Sequence, residues 1–214
     1  MTRNIIFLGA PGCGKGTQAG LLVRQLDFVK VSTGDLLREI AKEDSDYGRS
    51  INNILNKGIL VGDDIVNDLI DRFYCQNSNK AGIIFDGYPR NIEQAVSLDQ
   101  ILKKNQNSVD AVFYFEVQKD TLIKRIIGRY ICTDCGTIYN KFFFNTKKEG
   151  ECDRCKSSHF NVRIDDTKEV IEDRLKVYDK STAPLLDFYA DKLIKIDAEQ
   201  SADIIAKLIM NHLK

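Results

Sequence analysis

Three sets of residues in this chain have the types and spacing to do chemistry. The first is Gly9-Ala10-Pro11-Gly12-Cys13-Gly14-Lys15-Gly16-Thr17. Glycines let a backbone turn its N–H groups inward around an anion, a following helix adds its partial positive charge, and a lysine reaches the outer phosphates as a point charge. The usual pattern has Ser or Thr directly after the lysine, whereas here Gly16 intervenes before Thr17. The second set is Cys132-x2-Cys135 and Cys152-x2-Cys155, with sixteen residues between the pairs. Two such knuckles supply four thiolates and leave no open coordination position, so they point to a structural zinc site. Free reduced thiols or a disulfide pair are the plainer alternatives. The third set is Asp86-Gly87-Tyr88-Pro89-Arg90. A carboxylate beside a phosphate loop can orient Mg²⁺ or its water, and Pro89 would turn Arg90 back toward the phosphates. A lone arginine is otherwise found in a surface ion pair. Arg174 lies on the apolar side of its helix, where an internal ion pair is the competing explanation.

The elements that must hold these residues are legible as runs and stripes. Asn4-Ile5-Ile6-Phe7-Leu8 reads as a buried parallel strand leading into the glycine loop, and Ala19, Leu22, Val23 and Leu26 form the stripe of the helix behind it. Phe28–Val31, Gly82–Phe85, Ala111–Phe115 and Leu193–Ile196 are four more strands. Helical stripes lie between them: Leu36, Leu37, Ile40 and Ala41; then Tyr47, Ile51, Ile54 and Leu55, closed by Gly58. Asp63 reads as the N-cap of a helix burying Ile65, Val66, Leu69, Ile70 and Phe73. Another starts near Asn91 and buries Ala95, Leu98, Ile101 and Leu102, and Leu122, Ile123, Ile126 and Ile127 mark the next. The alternation stops at Gly128, gives way to short β-like runs until about Asp166, and resumes with Val170, Ile171, Leu175 and Tyr178, ending before Pro184. Ser201 is expected to cap a last helix carrying Ile204, Ile205, Leu208 and Ile209.

Five strands separated by helices predict an α/β fold with a parallel sheet covered on both faces. Two segments interrupt it, 32–61 (helical) and 128–166 (β-rich), each placed as a flap over the strand ends and leaving a core of 1–31, 62–127 and 167–214. The chain has 214 residues, no net charge and 29% charged residues, so no global basic field argues for nucleic acid or membrane as partner. The apolar run near the start breaks at Pro11-Gly12, too short for a signal sequence, and no stretch approaches membrane-spanning length. A soluble, cytoplasmic monomer is the expectation. Cys75 reads as core or helix surface, and His159, though near the knuckles, is not needed as a ligand because four cysteines already complete a tetrahedron.

Gly9 to Thr17, Ser32-Thr33-Gly34-Asp35-Leu36-Leu37-Arg38, Asp86 to Arg90, Arg125-Ile126-Ile127-Gly128-Arg129 and Thr182-Ala183-Pro184-Leu185 together resemble the adenylate kinases, over essentially the whole chain. The resemblance implies a P-loop nucleoside-monophosphate kinase fold and reversible transfer of the γ-phosphoryl group of ATP to AMP, with Mg²⁺. It also implies a long lid in which zinc stabilises rather than catalyses. Lys15, Arg90, Arg129, Arg163 and Arg174 would be the catalytic cations. ATP would be met by Gly12, Cys13, Gly14, Lys15, Gly16, Thr17, Arg125, Arg129, Ile138, Tyr139 and Gln200. AMP would be met by Thr33, Arg38, Ile59, Leu60, Val61, Gly87, Tyr88, Pro89, Arg90, Gln94, Arg163 and Arg174. Gln94 carries both a donor and an acceptor, as the Watson–Crick edge of adenine requires. Lys15-Gly16-Thr17 is the form this family uses, which moves the expected Mg²⁺ contact to Asp86, through water.

Other classes of function fare worse. A kinase for UMP, CMP or another monophosphate, or one of the GTP:AMP type, shares the loop and arginines, though UMP and CMP kinases typically have a short lid. A GTPase switch needs an Asn-Lys-x-Asp run, and Asn79-Lys80 is followed by Ala81-Gly82. A zinc-ribbon nucleic-acid module would need a basic, aromatic stripe, of which Phe142, Phe143, Phe144, Lys147 and Lys148 are only a faint version.

Overall fold

The first apolar run alternates its side chains between two cores. In a computed structural model, which describes residues 2–57, 61–164 and 166–213, β1 (Arg3–Leu8) buries Ile5 and Phe7 on one face of a sheet and Ile6 and Leu8 on the other. The chain continues through α1 (Lys15–Gln25), β2 (Phe28–Ser32), α2 (Thr33–Ile40), α3 (Asp46–Asn56) and α4 (Asp63–Asn77). Then come β3 (Gly82–Asp86), α5 (Ile92–Lys104), β4 (Ala111–Glu116) and α6 (Lys119–Ile127). A small β-rich segment follows, with β5 (Arg129–Cys132), β6 (Ile138–Asn140) and β7 (Phe160–Asn161). The chain closes with α7 (Lys168–Val177), a π-helical turn (Tyr178–Thr182), α8 (Leu185–Phe188), a 3-10 turn (Ala190–Lys192), β8 (Leu193–Asp197) and α9 (Ala202–His212).

The main sheet has five parallel strands in the order β2-β3-β1-β4-β8. The expected α/β architecture is therefore present. One face packs Ile6, Leu8, Val31 and Phe85 against α2, α3, α4, α5 and α8, through residues such as Leu37, Ile51, Ile70, Leu98 and Leu185. The other packs Ile5, Phe7, Phe113 and Phe115 against α1, α6, α7 and α9, through Leu22, Ile126, Ile171 and Ile205. Covered on both faces, the central strands β3, β1 and β4 are nearly continuous apolar runs, while the edge strands β2 and β8 admit Lys30 and Lys195. Their carboxyl ends bring Leu8, Ser32 and Asp86 side by side, with Phe7 opposite Asp86 and Asp86 opposite Ser32. That edge is where open parallel sheets hold ligands.

Strands β6, β5 and β7 form a separate antiparallel sheet with its own small core of Cys132, Tyr139 and Cys152. It is tied to the end of α6 by Asn140, whose Nδ2 donates to the Arg125 carbonyl at 2.7 Å, and by the Lys141 N–H, which donates to Gly128 O at 2.9 Å. Gly128 has no room for a side chain, since a Cβ would come within 2.6 Å of the Phe142 ring.

Element boundaries depart from the sequence reading at three places. Gly62 is the N-cap of α4 and Asp63 its first residue. Ser201 occupies the N-cap of α9, but its side chain makes no capping bond. The helix bearing Arg174 stops at Val177 and passes through the π-helical turn before Pro184. Gly58, Ile59, Leu60 and Asp165 lie outside the described residues. Among those described, no helix is long and apolar enough to cross a membrane.

Candidate active site

The loop between β1 and α1 is built on backbone that only glycine adopts easily. Gly9, Gly12 and Gly14 have φ of 144°, 84° and 106°. Gly12 also lies so close to α6 that a Cβ would meet Ile126 at 2.6 Å. Gly14 is the N-cap of α1, and the first turn has neither a capping side chain nor an acidic residue. Its N–H groups and the helix dipole are thus uncompensated by the chain, as an anion site requires. Lys15 folds over the loop, its Nζ donating to Gly9 O at 2.6 Å and Ala10 O at 3.1 Å and lying 3.4 Å from Cys13 Sγ. Thr17 is exposed at the helix start. A Cβ on Gly16 would stand 3.4 Å from Asp86 Oδ2, so the residue that displaces the usual hydroxyl is the one against the carboxylate. Burial pushes the Asp86 carboxyl up, opposed by the nearby Lys15 and Lys30. A half-buried carboxylate at a strand end, next to a phosphate loop, is chemically suited to a hydrated Mg²⁺.

Arginines from all three parts of the chain gather at this edge. Arg90 is lowered to about 10, by burial first and then by Arg174, with Arg38 adding and Asp86 opposing. Arg163 is also lowered to about 10, by burial and then by Arg129 and Arg38. Like charges are therefore held together here against their own repulsion, which normally needs an anion to offset it. Two carboxylates offset part of it. Asp166, fully buried, takes Arg129 in a bidentate pair, Nε and Nη2 at 2.8 and 2.5 Å. Asp35 accepts from Arg38 Nη2 at 2.6 Å and lies 3.6 Å from Arg163 Nη2, linking segment 32–61 to segment 128–166. Burial pushes the Asp35 carboxyl up, but Arg38, Arg163 and Lys30 outweigh it and hold it below its ordinary value. Neither acid received a role from the sequence. Asp35, three residues before Arg38 on one helix, carries a local signal; Asp166 carries none.

The acceptor-side residues form one hydrogen-bonded unit around the turn after β3. Gly87 O accepts from Thr33 Oγ1 at 2.8 Å and from Arg90 Nε at 2.8 Å. Thr182 Oγ1 donates to Arg90 O at 2.7 Å. Tyr88 is buried, its hydroxyl on Asn67 Oδ1 at 2.7 Å, and the Tyr88–Pro89 bond is cis. Gln94 is 2% exposed, with Oε1 accepting from the Arg90 N–H at 2.8 Å and Nε2 donating to Asp63 Oδ1 at 2.6 Å. Val61 is buried in the main core, while Ile59 and Leu60 are outside the described residues.

The residues expected near the donor base are divided. Arg125 donates to Cys13 O at 3.3 Å and Ala198 O at 2.8 Å, and its guanidinium lies 5.8 Å from the Phe143 ring centre. It joins the phosphate loop, the turn before α9 and the β-rich segment. Gln200 is exposed in that turn, its Nε2 on Asp197 Oδ2 at 3.2 Å. Ile138 is exposed, but Tyr139 is not. The Tyr139 ring stacks between Tyr130 and Phe144, and its hydroxyl accepts from the Asp153 N–H at 2.8 Å. Its side chain serves the interior of the segment, which leaves only its backbone for a nucleotide.

The four cysteines converge. Cys132 Sγ is 3.5 Å from Cys155 Sγ, Cys135 Sγ is 3.5 Å from Cys152 Sγ, and all four sulfurs lie within 4.8 Å of one another. A tetrahedron of Zn–S bonds of about 2.3 Å has S···S edges of about 3.8 Å. All are free thiols. Burial opposes ionisation of Cys152, but hydrogen bonds from the Tyr139 hydroxyl and the Cys155 and Arg154 backbone bring it down to about 6. The Ser157 amide favours the Cys155 thiolate, yet burial and the neighbouring sulfurs push that thiol up to about 12. Sulfurs this close do not all ionise without a cation among them. The donor set fits a tetrahedral metal.

The family model described as adenylate kinase matches residues 7–194. An adenylate kinase of Rickettsia prowazekii is 44% identical over 185 residues, covering 86% of this chain and 85% of that protein. One of Fervidobacterium nodosum is 38% identical over 212 residues, covering 98% and 97%.

Proposed function

The chain belongs to the adenylate kinase family, and from that premise we propose that it reversibly transfers the γ-phosphoryl group of ATP to AMP, giving two ADP. The observation that carries the reading is a linked set of arginines, Arg129 meeting Arg163, Arg163 meeting Arg38, and Arg38 and Arg174 meeting Arg90, which itself lies by Asp86 and so joins the set to Lys15 of the loop. Phosphoryl transfer spreads negative charge over the moving group, so catalysis is positioning plus convergent positive charge, with no covalent intermediate. Bidentate arginines suit that job better than lysines.

In this reading the loop from Gly12 to Thr17 holds the donor phosphates, and Lys15 exchanges the Gly9 and Ala10 carbonyls for them. Arg125, Ile138, the backbone of Tyr139 and Gln200 surround the donor base. Thr33, Arg38, Val61, Gly87 to Arg90 and Gln94 hold AMP, with Ile59 and Leu60. Arg90, Arg129, Arg163 and Arg174 meet the group in flight. Bound Mg²⁺ would neutralise charge between the outer phosphates, with Asp86 holding its water. Segments 32–61 and 128–166 act as acceptor flap and lid on a core of 1–31, 62–127 and 167–214. Their closure keeps water from the transferred group. Zinc on Cys132, Cys135, Cys152 and Cys155 gives the lid its stability. The enzyme acts as a monomer on free nucleotides of the cytoplasm.

A coupled assay of ATP with AMP, CMP, UMP and GMP tests the assignment. AMP should be strongly preferred, and Lys15→Ala should lower kcat by at least about a hundredfold while the circular dichroism is kept. Preference for another acceptor, or a fully active Lys15→Ala enzyme, would overturn it. The long cysteine-bearing lid and the relatives' names both weigh against a UMP or CMP acceptor.

A further inference from the structure

Asp63 has no role in the scheme above, yet both of its carboxylate oxygens are engaged by side chains of the acceptor region. Its Oδ1 accepts from Gln94 Nε2 at 2.6 Å and its Oδ2 accepts from Asn91 Nδ2 at 2.9 Å. Asn91 Oδ1 in turn caps α5 by accepting from the Gln94 N–H at 2.7 Å. The ring Asp63–Asn91–Gln94 closes on itself. The remaining end of the Gln94 amide, Oε1, accepts from the Arg90 N–H at 2.8 Å.

These partners decide which end of the amide is which. A backbone N–H only donates and a carboxylate only accepts, so Oε1 must face Arg90 and Nε2 must face Asp63. Rotating the amide by half a turn would set donor against donor at Arg90 and acceptor against acceptor at Asp63. An unrestrained glutamine can offer its donor and acceptor in either order. Adenine and hypoxanthine differ in that order: adenine presents an N6 donor beside an N1 acceptor, hypoxanthine an O6 acceptor beside an N1 donor. A primary amide has two N–H bonds and two acceptor positions, so one of each remains on Gln94 after the internal contacts.

We infer that Asp63 is a specificity-determining residue, which together with the Arg90 N–H fixes the orientation of the Gln94 amide and so makes the acceptor site select a 6-amino purine over a 6-oxo purine. The inference rests on the reading that Gln94 meets the acceptor base. Asp63 acts through Gln94 and is a positioning residue; it does not touch the nucleotide. Selectivity follows because Gln94 is buried, and a buried donor or acceptor facing a like group loses its bond outright.

The test compares AMP with inosine monophosphate, which differs only at the 6-position and N1, in the wild-type enzyme and in Asp63→Asn and Asp63→Ala. An asparagine can present either a donor or an acceptor to Gln94, and an alanine presents neither. In both variants the ratio of kcat/KM for AMP over inosine monophosphate should fall by about tenfold, the worth of a hydrogen bond to a charged partner. KM for ATP and the melting temperature of Asp63→Asn should stay within error of wild type. Equal losses for both acceptors, or an unchanged ratio, would overturn the inference and leave Asp63 as a helix-end residue. If Asp63→Ala does not fold, the isosteric Asp63→Asn still decides. Failure of the underlying reading shows separately: Gln94→Leu would then leave the wild-type ratio intact, whereas it should abolish it. A wild-type enzyme indifferent to the 6-position would sink both.

Discussion

The two segments that interrupt the sheet stay folded by different physics. Segment 32–61 is helical and borrows the main core: Leu37, Ile51 and Val61 are buried in the same cluster as Ile6, Leu8 and Phe85. Its helices are capped by Ser32 and Ser45, which accept from the Asp35 and Gly48 N–H groups. Segment 128–166 borrows little. Its core is Cys132, Tyr139 and Cys152 with a few partly covered neighbours, while Phe142 and Phe143 are exposed and Ile164 is 83% exposed. A sheet of strands this short is not stable alone, and a metal can supply what the missing apolar core does not. The neck of the segment is closed by a salt bridge, Arg129 at its start on Asp166 at its end. A flap built on shared core should lose stability together with the whole protein. A segment held by an ion pair and by the proposed metal should come apart by itself.

The largest effect expected from this contrast is on the metal. Cys152→Ser should weaken zinc binding by more than the 10–100-fold typical of losing an outer-shell partner. Hydrogen exchange should then speed across 129–161 while β1 and β3 keep their protection. Purified protein without zinc and with unchanged melting would count against the metal-built lid. Next, Asp166→Ala leaves the Arg129 guanidinium, whose side chain is only 16% exposed, without its carboxylate. Removing one partner of such a pair costs about 3–5 kcal/mol. Denaturant curves should locate that loss in a first, lid-only transition, and a single shifted global transition would say the neck is not separable.

Leu37→Ala should behave in the opposite way. Truncating a buried leucine costs about 2–5 kcal/mol, and it should appear as one lowered global transition with zinc content intact. A flap that melts ahead of the core would break the comparison. The smallest effect concerns the contact between the segments, Asp35 with Arg38 and Arg163. Asp35 is half exposed, so the tie is worth less than about 1 kcal/mol. Because its carboxyl is held below its ordinary value of 3.8, the tie is present above that pH and is lost as pH falls through the lowered value. The distance between labels on the two segments should therefore be flat from neutral pH down to about pH 4 and lengthen only below it. Lengthening near pH 6 would assign the contact to other groups.

What could be read along the chain is what local chemistry enforces. The phosphate loop was legible because positive φ demands glycine at Gly9, Gly12 and Gly14, and the lysine must follow directly. The cysteine knuckles were legible because a metal needs its donors at short, fixed spacing, and four sulfurs do converge. The three central strands were legible because burial on both faces leaves long apolar runs, and the edge strands β2 and β8 kept enough of the run despite Lys30 and Lys195. Their order in the sheet, by contrast, had to come from packing.

Pairing across the chain stayed hidden for the same reason. Nothing near Asp166 says that it will take Arg129, 37 residues away. Tyr139 reads as one more aromatic in a short strand, and only the stacked rings of Tyr130 and Phe144 turn it inward. Asp63 was placed as a helix cap, which one residue of shift made into a partner for Gln94. Residue types and spacing are written in the backbone's local geometry, so the sequence by itself determined which groups could cradle a phosphate and which could hold a metal. Which carboxylate restrains which cation, and which way an amide must face, depends on elements meeting in space. Only the tertiary structure decided that.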